Sequence, residues 1–432
     1  MNTTTANPER EIVLPSTSRG RRGLRWIGYG LLGLLAVLAL AAVAYLIAWS
    51  RGLIQFPALT GSYQVGRIEY HLVDESRLEI FSAAPDDKRE LMITVYYPAS
   101  PPANANPAPY TTGPIRAEFG TPDFFQDTVR AHAFANVPLA DDGARYPVII
   151  FSPGMGFLPI KYAPTLEDLA SHGYVVVSLS HPYSTAATVF PDGRVVTSTV
   201  EAGSRALSEA TAKATSDAEF DPVVNRIGSV WVADVRFVLD QLEQFNVSDA
   251  LFANRLDLTH VGVFGHSMGG GVAVQALSED DRFATAIDMD GTLFGEAAAN
   301  GVARPVMLML SERVPMTPEQ IKFSGSSPEA NAYFQQREAA TQATVYESAA
   351  PGYRLTLNGS THHTFIGFEP LAAPALFIPA EVVGTIDGTR AVGMIDDYVV
   401  SFFDQHLKGQ PSVLLDGPSA AYPEVVFENH KP

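Results

Sequence analysis

A serine flanked by glycines follows an apolar run near the middle of the chain. The motif is Gly265-His266-Ser267-Met268-Gly269, and residues 261–264 before it are Val-Gly-Val-Phe. This pattern predicts a buried strand, a tight turn and a helix that begins directly after the serine. Such a turn holds the serine oxygen beside a helix N-terminus, where it can act as a nucleophile. We expect glycine on both sides because a side chain there would collide with the neighbouring strand or helix. The alternative is a glycine-rich turn that only packs tightly.

The composition excludes several kinds of site. The 432 residues include no cysteine, so the chain has no disulfide, catalytic thiol, thiolate zinc site or cysteine-linked lipid anchor. The formal net charge is −18, although four arginines cluster at positions 19, 21, 22 and 25. The remainder is therefore more acidic still, which argues against binding to nucleic acid or to anionic lipid surfaces. A hydrophobic content of 46% is enough for a large buried core.

A long uncharged segment near the N-terminus predicts a transmembrane helix. Residues 26–49 carry no charge, and as a helix they would be about 36 Å long, compared with about 30 Å for the hydrocarbon core of a bilayer. The preceding arginines predict a cytoplasmic, disordered, basic tail over residues 1–25, with the rest of the chain across the membrane. A cleaved signal peptide is the alternative, with Ala42-Val43-Ala44 as a possible cleavage site, and the protein would then be secreted.

Apolar strands then alternate with helices over the rest of the chain. We predict strands at 60–74, 90–97, 146–151, 174–179, 261–264, 284–288, 306–310 and 354–357. Helices are predicted at 161–172, 230–245, 268–277 and 392–407. Residues 185–222 form a long polar connection with some helical turns. This alternation indicates an α/β fold, with a mostly parallel central sheet covered by helices on both faces, in one domain from 55 to 432.

Two later strands end in residues that could activate the serine. A serine hydroxyl needs a base, and the base needs an orienting carboxylate. Asp290 lies 23 residues after Ser267 at the end of one predicted strand, and His362 follows another. Asp288 shares a strand face with Asp290, so side-chain parity does not decide between them, and we favour Asp290 because it lies nearer the loop. His363 would point away from His362 in an extended chain, towards the loop or solvent.

The oxyanion of an acyl-transfer reaction needs two backbone donors. We expect the N–H of Met268, directly after the nucleophile, and the N–H of Met155, in the loop after the strand at 146–151. A plain Pro-Gly turn is the alternative for that loop. The spacing of the histidines and aspartates fits no metal-binding motif, so no metal is expected. We interpret His172, His181, His260 and His266 as structural.

Four stretches together resemble a known family. They are residues 151–156 (Phe-Ser-Pro-Gly-Met-Gly), 169–174, 265–283 and 359–362. They are similar to the α/β-hydrolase superfamily and, within it, to the plasma-type platelet-activating-factor acetylhydrolases and their bacterial relatives, over roughly residues 90–410. The resemblance implies the α/β-hydrolase fold, with Ser267 as nucleophile, Asp290 as acid and His362 as base. Pro153 departs from the family, which usually has histidine there. The serine motif also resembles those of bacterial lipases and cutinases.

The expected function is therefore that of a serine hydrolase that cleaves carboxylic esters through an acyl-enzyme intermediate, without a cofactor. The resemblance implies short-chain or lipid esters as substrates. The alternatives are a lipase-like or cutinase-like hydrolase of triglycerides or polyesters, an acyltransferase, and a non-catalytic tethered binding protein. The apolar residues of segment 366–383, Phe377 among them, would cap the acyl pocket, meet a lipid surface or simply pack under a proline-rich loop.

Overall fold

The computed structural model describes residue 1 and residues 18–430, with side chains described for 26–47 and 52–430. The described chain divides into two compact units, one ending at Leu53 and one beginning at Ile54. The first unit contains helix α1 (Ser18–Arg51). Most of the predicted disordered tail lies outside the described residues, but residues 18–25 are already helical, which corrects that prediction. Arginine and leucine are good helix formers, so the helix extends beyond its apolar part. By length and composition, Trp26–Ile47 could cross a membrane or form part of a signal sequence.

The second unit is built on a large twisted sheet. Its ten strands within the described residues are β1 (Gln64–Leu78), β2 (Lys88–Ala99), β3 (Phe134–Ala135), β4 (Tyr146–Ser152), β5 (Val175–Ser180), β6 (Leu256–His266), β7 (Phe283–Met289), β8 (Val306–Ser311), β9 (Gly352–Leu357) and β10 (Val425–His430). Their spatial order is β10-β9-β8-β7-β6-β4-β5-β2-β1-β3. The six strands from β9 to β5 in this order are parallel to one another. Strand β10 pairs antiparallel with β9, and β2 pairs antiparallel with β5 and β1, whereas β3 is parallel to β1, so the mostly parallel sheet is confirmed.

Helices cover both faces of this sheet, as predicted. The longer ones are α2 (Ala163–Ser171), α3 (Ser204–Lys213), α4 (Asp217–Ser248), α5 (Met268–Glu279), α6 (Pro328–Ser348), α7 (Phe368–Leu376) and α8 (Gly388–Leu407). Short helices or 3₁₀ turns lie at Ile115–Glu118, Asp123–Gln126, Pro159–Tyr162, Gly295–Asn300, Pro318–Phe323, His362–Ile366, Ala380–Val383 and Val413–Leu415. Two short strand pairs, Ile54–Gln55 with Val129–Arg130 and Ala187–Val189 with Val195–Thr197, lie outside the sheet.

The core is divided into two layers by the sheet. Strand β4 shows the division, because Val148 and Ile150 pack in one layer and Ile149 and Phe151 in the other. Helices α4 and α5 supply the first layer, and α2 and α8 supply the second. Strands buried on both faces explain why the sequence shows continuous apolar runs here instead of alternation.

The prediction was incomplete in three places. Helix α4 begins at Asp217, 13 residues before the predicted start, and contains Pro222 in its second turn, where the missing N–H leaves one helical hydrogen bond unmade. Helix α6 was missed because it has no clear apolar stripe, although Ser327 caps it and Pro328 opens it. Strand β10 was missed, although Val425 and Phe427 alternate with exposed neighbours. The long connection contains the strand pair at 187–197 and helix α3.

Candidate active site

The serine motif forms the sharp turn that its sequence predicts. Strand β6 ends at His266, helix α5 begins at Met268, and Ser267 between them has φ 57° and ψ −127°. A non-glycine residue in this region is strained and is retained only where the surroundings impose it. A Cβ on Gly265 would overlap the Gly269 backbone, and one on Gly269 would overlap the carbonyl oxygen of Ser152. The predicted need for both glycines is therefore confirmed.

His362 and Asp290 are hydrogen-bonded to each other. The Nδ1 atom of His362 lies 2.8 Å from Oδ2 of Asp290. The Asp290 carboxylate also accepts hydrogen bonds from the backbone N–H and the hydroxyl of Ser311, both at 2.9 Å. Burial acts to raise the pKa of Asp290, but the bonds from His362 and Ser311 outweigh it and lower this pKa to about 2. Asp290 is therefore ionised at neutral pH, as an orienting carboxylate must be.

Asp288 lies in a different environment from Asp290, although the two are close in sequence. Asp290 has a positive φ of 54°, so the chain turns after β7 and the two side chains part. The Asp288 carboxyl group is fully buried against the backbone at Gly270 and Gly291. Burial raises its pKa well above the usual value, and the nearby Glu338 adds to the effect. The structure brings His362 to Asp290 and not to Asp288.

His362 and His363 do not lie on an extended segment, as the parity argument assumed. They open the 3₁₀ turn His362–Ile366, which follows strand β9 and its loop. His363 forms its own hydrogen bond with Glu369, with 2.6 Å between Nδ1 and Oε2, so its partner lies in the first turn of α7 and not in the loop. Because the two residues lie on a turn, their rings have different partners: His362 contacts Asp290 and His363 contacts Glu369.

Ser267 and His362 line the same cavity, which has a volume of about 600 Å³. Met155, Gly156 and Phe157 of the loop after β4 line it too. The Ser267 hydroxyl forms no hydrogen bond with the residues that the structure describes, so it is free to meet a substrate. The cavity brings together the predicted nucleophile, base and oxyanion loop.

The two predicted oxyanion donors lie on different segments, Met268 on α5 and Met155 on the loop after β4. The N–H of Met268 lies in the first turn of α5, where a helix has no internal acceptor for it. The loop that contains Met155 is held by a bond of 2.9 Å from the N–H of Gly156 to the carbonyl oxygen of Ser184. Both methionines are buried, and Met155 is among the residues that line the cavity.

His266 connects three parts of the site, a role that the sequence did not indicate. Its Nε2 lies 3.0 Å from the carbonyl oxygen of His362, and its Nδ1 lies 2.8 Å from the Tyr162 hydroxyl. A carbonyl only accepts, so Nε2 carries the proton and Nδ1 accepts from Tyr162. The Tyr162 oxygen in turn accepts from the N–H of Gly154, at 3.1 Å. Burial lowers the pKa of His266 well below its usual value, so the ring is neutral, as this assignment requires.

A second Ser-His-Asp chain lies entirely inside the protein. The Ser152 hydroxyl is 3.0 Å from Nε2 of His181, whose Nδ1 is 2.9 Å from Asp234. All three side chains are 0% exposed, so no substrate reaches them. The His181 ring stacks on Trp231, with 3.9 Å between centroids, and Asp234 pairs with the buried Arg89. We interpret these three hydrogen-bonded side chains as structural. They hold the end of β4, from which the oxyanion loop begins.

The remaining predicted elements lie away from the cavity. His172 contacts Thr60 near the end of α2, and His260 is exposed on β6. None of residues 366–383 lines the cavity, which disfavours the cap among the three alternatives given for this segment. Ile366 and Phe368 are buried in the core, whereas Phe377 is 90% exposed on the surface. The cavity is instead covered by residues of α3 and of the segment 316–334, for which the sequence analysis gave no prediction.

Comparison with known proteins agrees with this geometry. The family model for platelet-activating factor acetylhydrolase, isoform II, matches residues 49–413. The chain belongs to this family. It is 26% identical over 409 residues to a protein of Arthroderma benhamiae named as a probable 1-alkyl-2-acetylglycerophosphocholine esterase, which covers 86% of this chain and 93% of that protein. It is 27% identical over 309 residues to the platelet-activating factor acetylhydrolase of Cavia porcellus, covering 65% of this chain and 62% of the relative.

A solved structure extends the comparison to the fold. The ferulic acid esterase of Streptomyces cinnamoneus superposes with a TM-score of 0.67 at 32% sequence identity, over 87% of this chain and 99% of the esterase. This member of the platelet-activating factor acetylhydrolase family therefore has an α/β-hydrolase fold and is an ester hydrolase. The resemblance on which the sequence analysis relied is confirmed.

Proposed function

We propose that this family member is a serine esterase that hydrolyses short-chain or lipid carboxylic esters through an acyl-enzyme on Ser267. His362 takes the Ser267 proton as the oxygen attacks the ester carbonyl, and Asp290 stabilises the imidazolium that forms. The N–H groups of Met268 and Met155 hold the oxyanion of the tetrahedral intermediate. The proton passes to the leaving alcohol, and water then hydrolyses the acyl-enzyme by the same route.

One observation carries this proposal. The hydrogen bond of 2.8 Å between His362 and Asp290 orients the imidazole, and the same histidine lines one cavity with Ser267. A non-catalytic binding protein would have no need for an ionised carboxylate behind a histidine at the mouth of a cavity. The strained backbone at Ser267 supports the same conclusion, because such strain is typical of functional sites.

The test is the Ser267→Ala variant with p-nitrophenyl acetate as substrate. We expect kcat to fall by about 10³-fold or more, since removal of such a nucleophile costs several orders of magnitude. Ser278→Ala, at the other end of α5, is the matched control and should retain activity. A Ser267→Ala protein that hydrolyses the ester at the normal rate would refute the proposal. Product analysis with added alcohol separates hydrolysis from acyl transfer.

We also propose that helix α1 is a membrane anchor, with the N-terminus in the cytoplasm and a catalytic domain of residues 55–432 outside. The span Trp26–Ile47 is long and apolar enough, and arginines precede it. Extraction of cell membranes with alkaline carbonate is the test. An anchored protein stays with the membrane pellet, whereas recovery of a shortened protein in the medium would favour a cleaved signal sequence.

A further inference from the structure

One helix presents a row of hydroxyl groups to the candidate active site. Ser204, Leu207, Ser208 and Thr211 of α3 line the cavity that contains Ser267. Their spacing of three and four residues places them on one face of the helix. Ala212 of the same helix also lines the cavity, so three of the five lining residues of α3 carry a hydroxyl, whereas a helix that only covered the cavity would present an apolar face.

Several polar groups of the cavity are free. Thr211 donates to the carbonyl oxygen of Leu207 at 2.9 Å, as a mid-helix threonine often does. The hydroxyls of Ser204 and Ser208 and the side-chain amide of Asn331 form no hydrogen bond with any described residue, although all three residues line the cavity. A hydroxyl offers one donor and two acceptor positions, and an amide offers both kinds of group. These three side chains can therefore pair with several hydroxyl groups of a ligand.

Apart from Ser324 and Ser326, whose hydroxyls donate to backbone carbonyl oxygens, the rest of the lining is mainly apolar and carries no formal charge. Met155, Phe157, Met316 and Phe334 supply the apolar surface. No lysine, arginine, aspartate or glutamate of the described residues lines the cavity. Arginine and lysine, the side chains that normally hold a phosphate group, are therefore missing from the described lining. The lining suits a ligand with one apolar part and one uncharged, hydroxylated part.

We propose that the physiological substrate is an uncharged ester whose alcohol part bears free hydroxyl groups, as a sugar or glycerol unit does. Ser204, Ser208 and Asn331 bind those hydroxyls, and the acyl part packs on the methionine and phenylalanine side chains. The Ser267 oxygen bonds to the acyl carbon as the bond from that carbon to the alcohol oxygen breaks. The alcohol leaves with the proton that His362 took from Ser267. This inference rests on the proposed serine-esterase function.

A matched pair of substrates tests the inference. Short-chain 1-alkyl-2-acetylglycerol and 1-alkyl-2-acetylglycerophosphocholine share the acetyl ester and differ in whether a free hydroxyl or a phosphocholine group occupies the third position. We expect kcat/KM to be at least about tenfold higher for the uncharged ester, because the phosphate would lose its water shell without gaining a cationic partner. Equal rates, or a preference for phosphocholine, would overturn the inference. A monoacetylated methyl glucoside, compared with the glycerol ester, distinguishes the two kinds of alcohol.

Variants provide an independent readout. The double variant Ser204→Ala, Ser208→Ala should lower kcat/KM for the preferred hydroxylated ester by about fivefold or more, mainly through KM, since two hydrogen bonds are lost. The ratio of kcat/KM for the hydroxylated ester to kcat/KM for p-nitrophenyl acetate should also fall, because p-nitrophenol has no such hydroxyls. Ser229→Ala, an exposed serine on α4, is the control. An unchanged ratio in the double variant would overturn the assignment.

The two proposals fail in different ways. If wild-type protein does not hydrolyse p-nitrophenyl acetate, or if Ser267→Ala hydrolyses it equally well, the serine-esterase function is wrong. If hydrolysis depends on Ser267 but phosphocholine and hydroxyl esters react equally, only the inference about the substrate is wrong.

Discussion

The Nε2–H group of His266 donates a hydrogen bond to the backbone carbonyl oxygen of His362, 3.0 Å away. This bond fastens the loop of the candidate base to the turn that contains Ser267. Through Tyr162 and the N–H of Gly154 the same chain of bonds reaches the oxyanion loop. Three segments that are distant in sequence are thus held together by one buried, neutral ring.

Replacement of His266 by alanine should therefore loosen the site without removing any proposed catalytic side chain. We expect kcat for p-nitrophenyl acetate to fall by about 10–100-fold, since small misplacements of reacting groups are costly. Tyr162→Phe should have a smaller effect because only one bond of the chain is lost. The control is His260→Ala, since that histidine is exposed on the same strand. Wild-type kcat in His266→Ala would show that the connection has no role in positioning.

The two aspartates at the end of β7 should differ sharply. Asp290→Asn should lower kcat by about 10³–10⁴-fold, because an asparagine neither stabilises the imidazolium nor fixes its tautomer. Asp288→Asn should change kcat by less than about tenfold, since this carboxyl group is buried against Gly270 and Gly291 and does not contact His362. Steady-state kinetics of the two variants decides the matter, and the opposite ranking would assign the role to Asp288.

Substitution of the histidine in each of the two Ser-His-Asp sets should separate an effect on stability from an effect on activity. His181→Phe retains a ring on Trp231 but leaves the Ser152 hydroxyl without a partner inside the core and removes one of the hydrogen bonds of Asp234, which keeps its pair with Arg89. We expect the free energy of unfolding in urea to fall by about 1–3 kcal/mol. His362→Phe should abolish activity and leave stability nearly unchanged, since the His362 side chain is 40% exposed. If His181→Phe were as stable as the wild type, the buried chain would not support the fold.

Glu338 should make stability depend on pH near neutrality. It is almost fully buried in α6, and burial raises its pKa from 4.5 to about 7, against the attraction of Arg313 and Arg337. Between these values the folded protein binds more protons at this site than the unfolded chain does, so stability declines as the pH rises from about 4.5 to 7. Above pH 7 the full penalty, about 1–3 kcal/mol, is present.

Glu338→Gln removes this titration and tests its size. We expect the variant to lose less stability than wild type when the pH is raised from 5 to 8, as measured by urea unfolding at both values. Glu329→Gln, an exposed glutamate on the same helix, is the control. The same decline in Glu338→Gln and wild type would mean that Glu338 is not the group responsible.

The sheet and the serine turn could be predicted from sequence because each depends on local patterns. Strands buried on both faces read as apolar runs, and the turn at Ser267 needs glycine at two fixed positions. Asp290 and His362 could be found because parallel strands deliver their following residues to one edge of the sheet. The sequence did not decide between Asp288 and Asp290 as the orienting carboxylate. The positive φ at Asp290, which separates the two side chains, could not be predicted from the sequence.

The rest of the site depends on contacts between distant segments. Nothing in the sequence near His181 or His266 shows that one completes a buried chain with Asp234 and the other joins two loops. Ser204 and Ser208 look like ordinary surface residues of a polar helix, and only the folded chain places them beside Ser267. The apolar segment after His362 was the obvious candidate for a pocket wall, yet part of it packs in the core.

The most direct test of the whole account is to locate the residue that reacts with a fluorophosphonate. Only a serine activated by a neighbouring base reacts readily, and mass spectrometry of the digested protein identifies the modified peptide. We predict a single adduct on Ser267, absent in Ser267→Ala and strongly reduced in His362→Phe. An adduct on another serine, or none on wild-type protein, would contradict the assignment of Ser267 as the nucleophile.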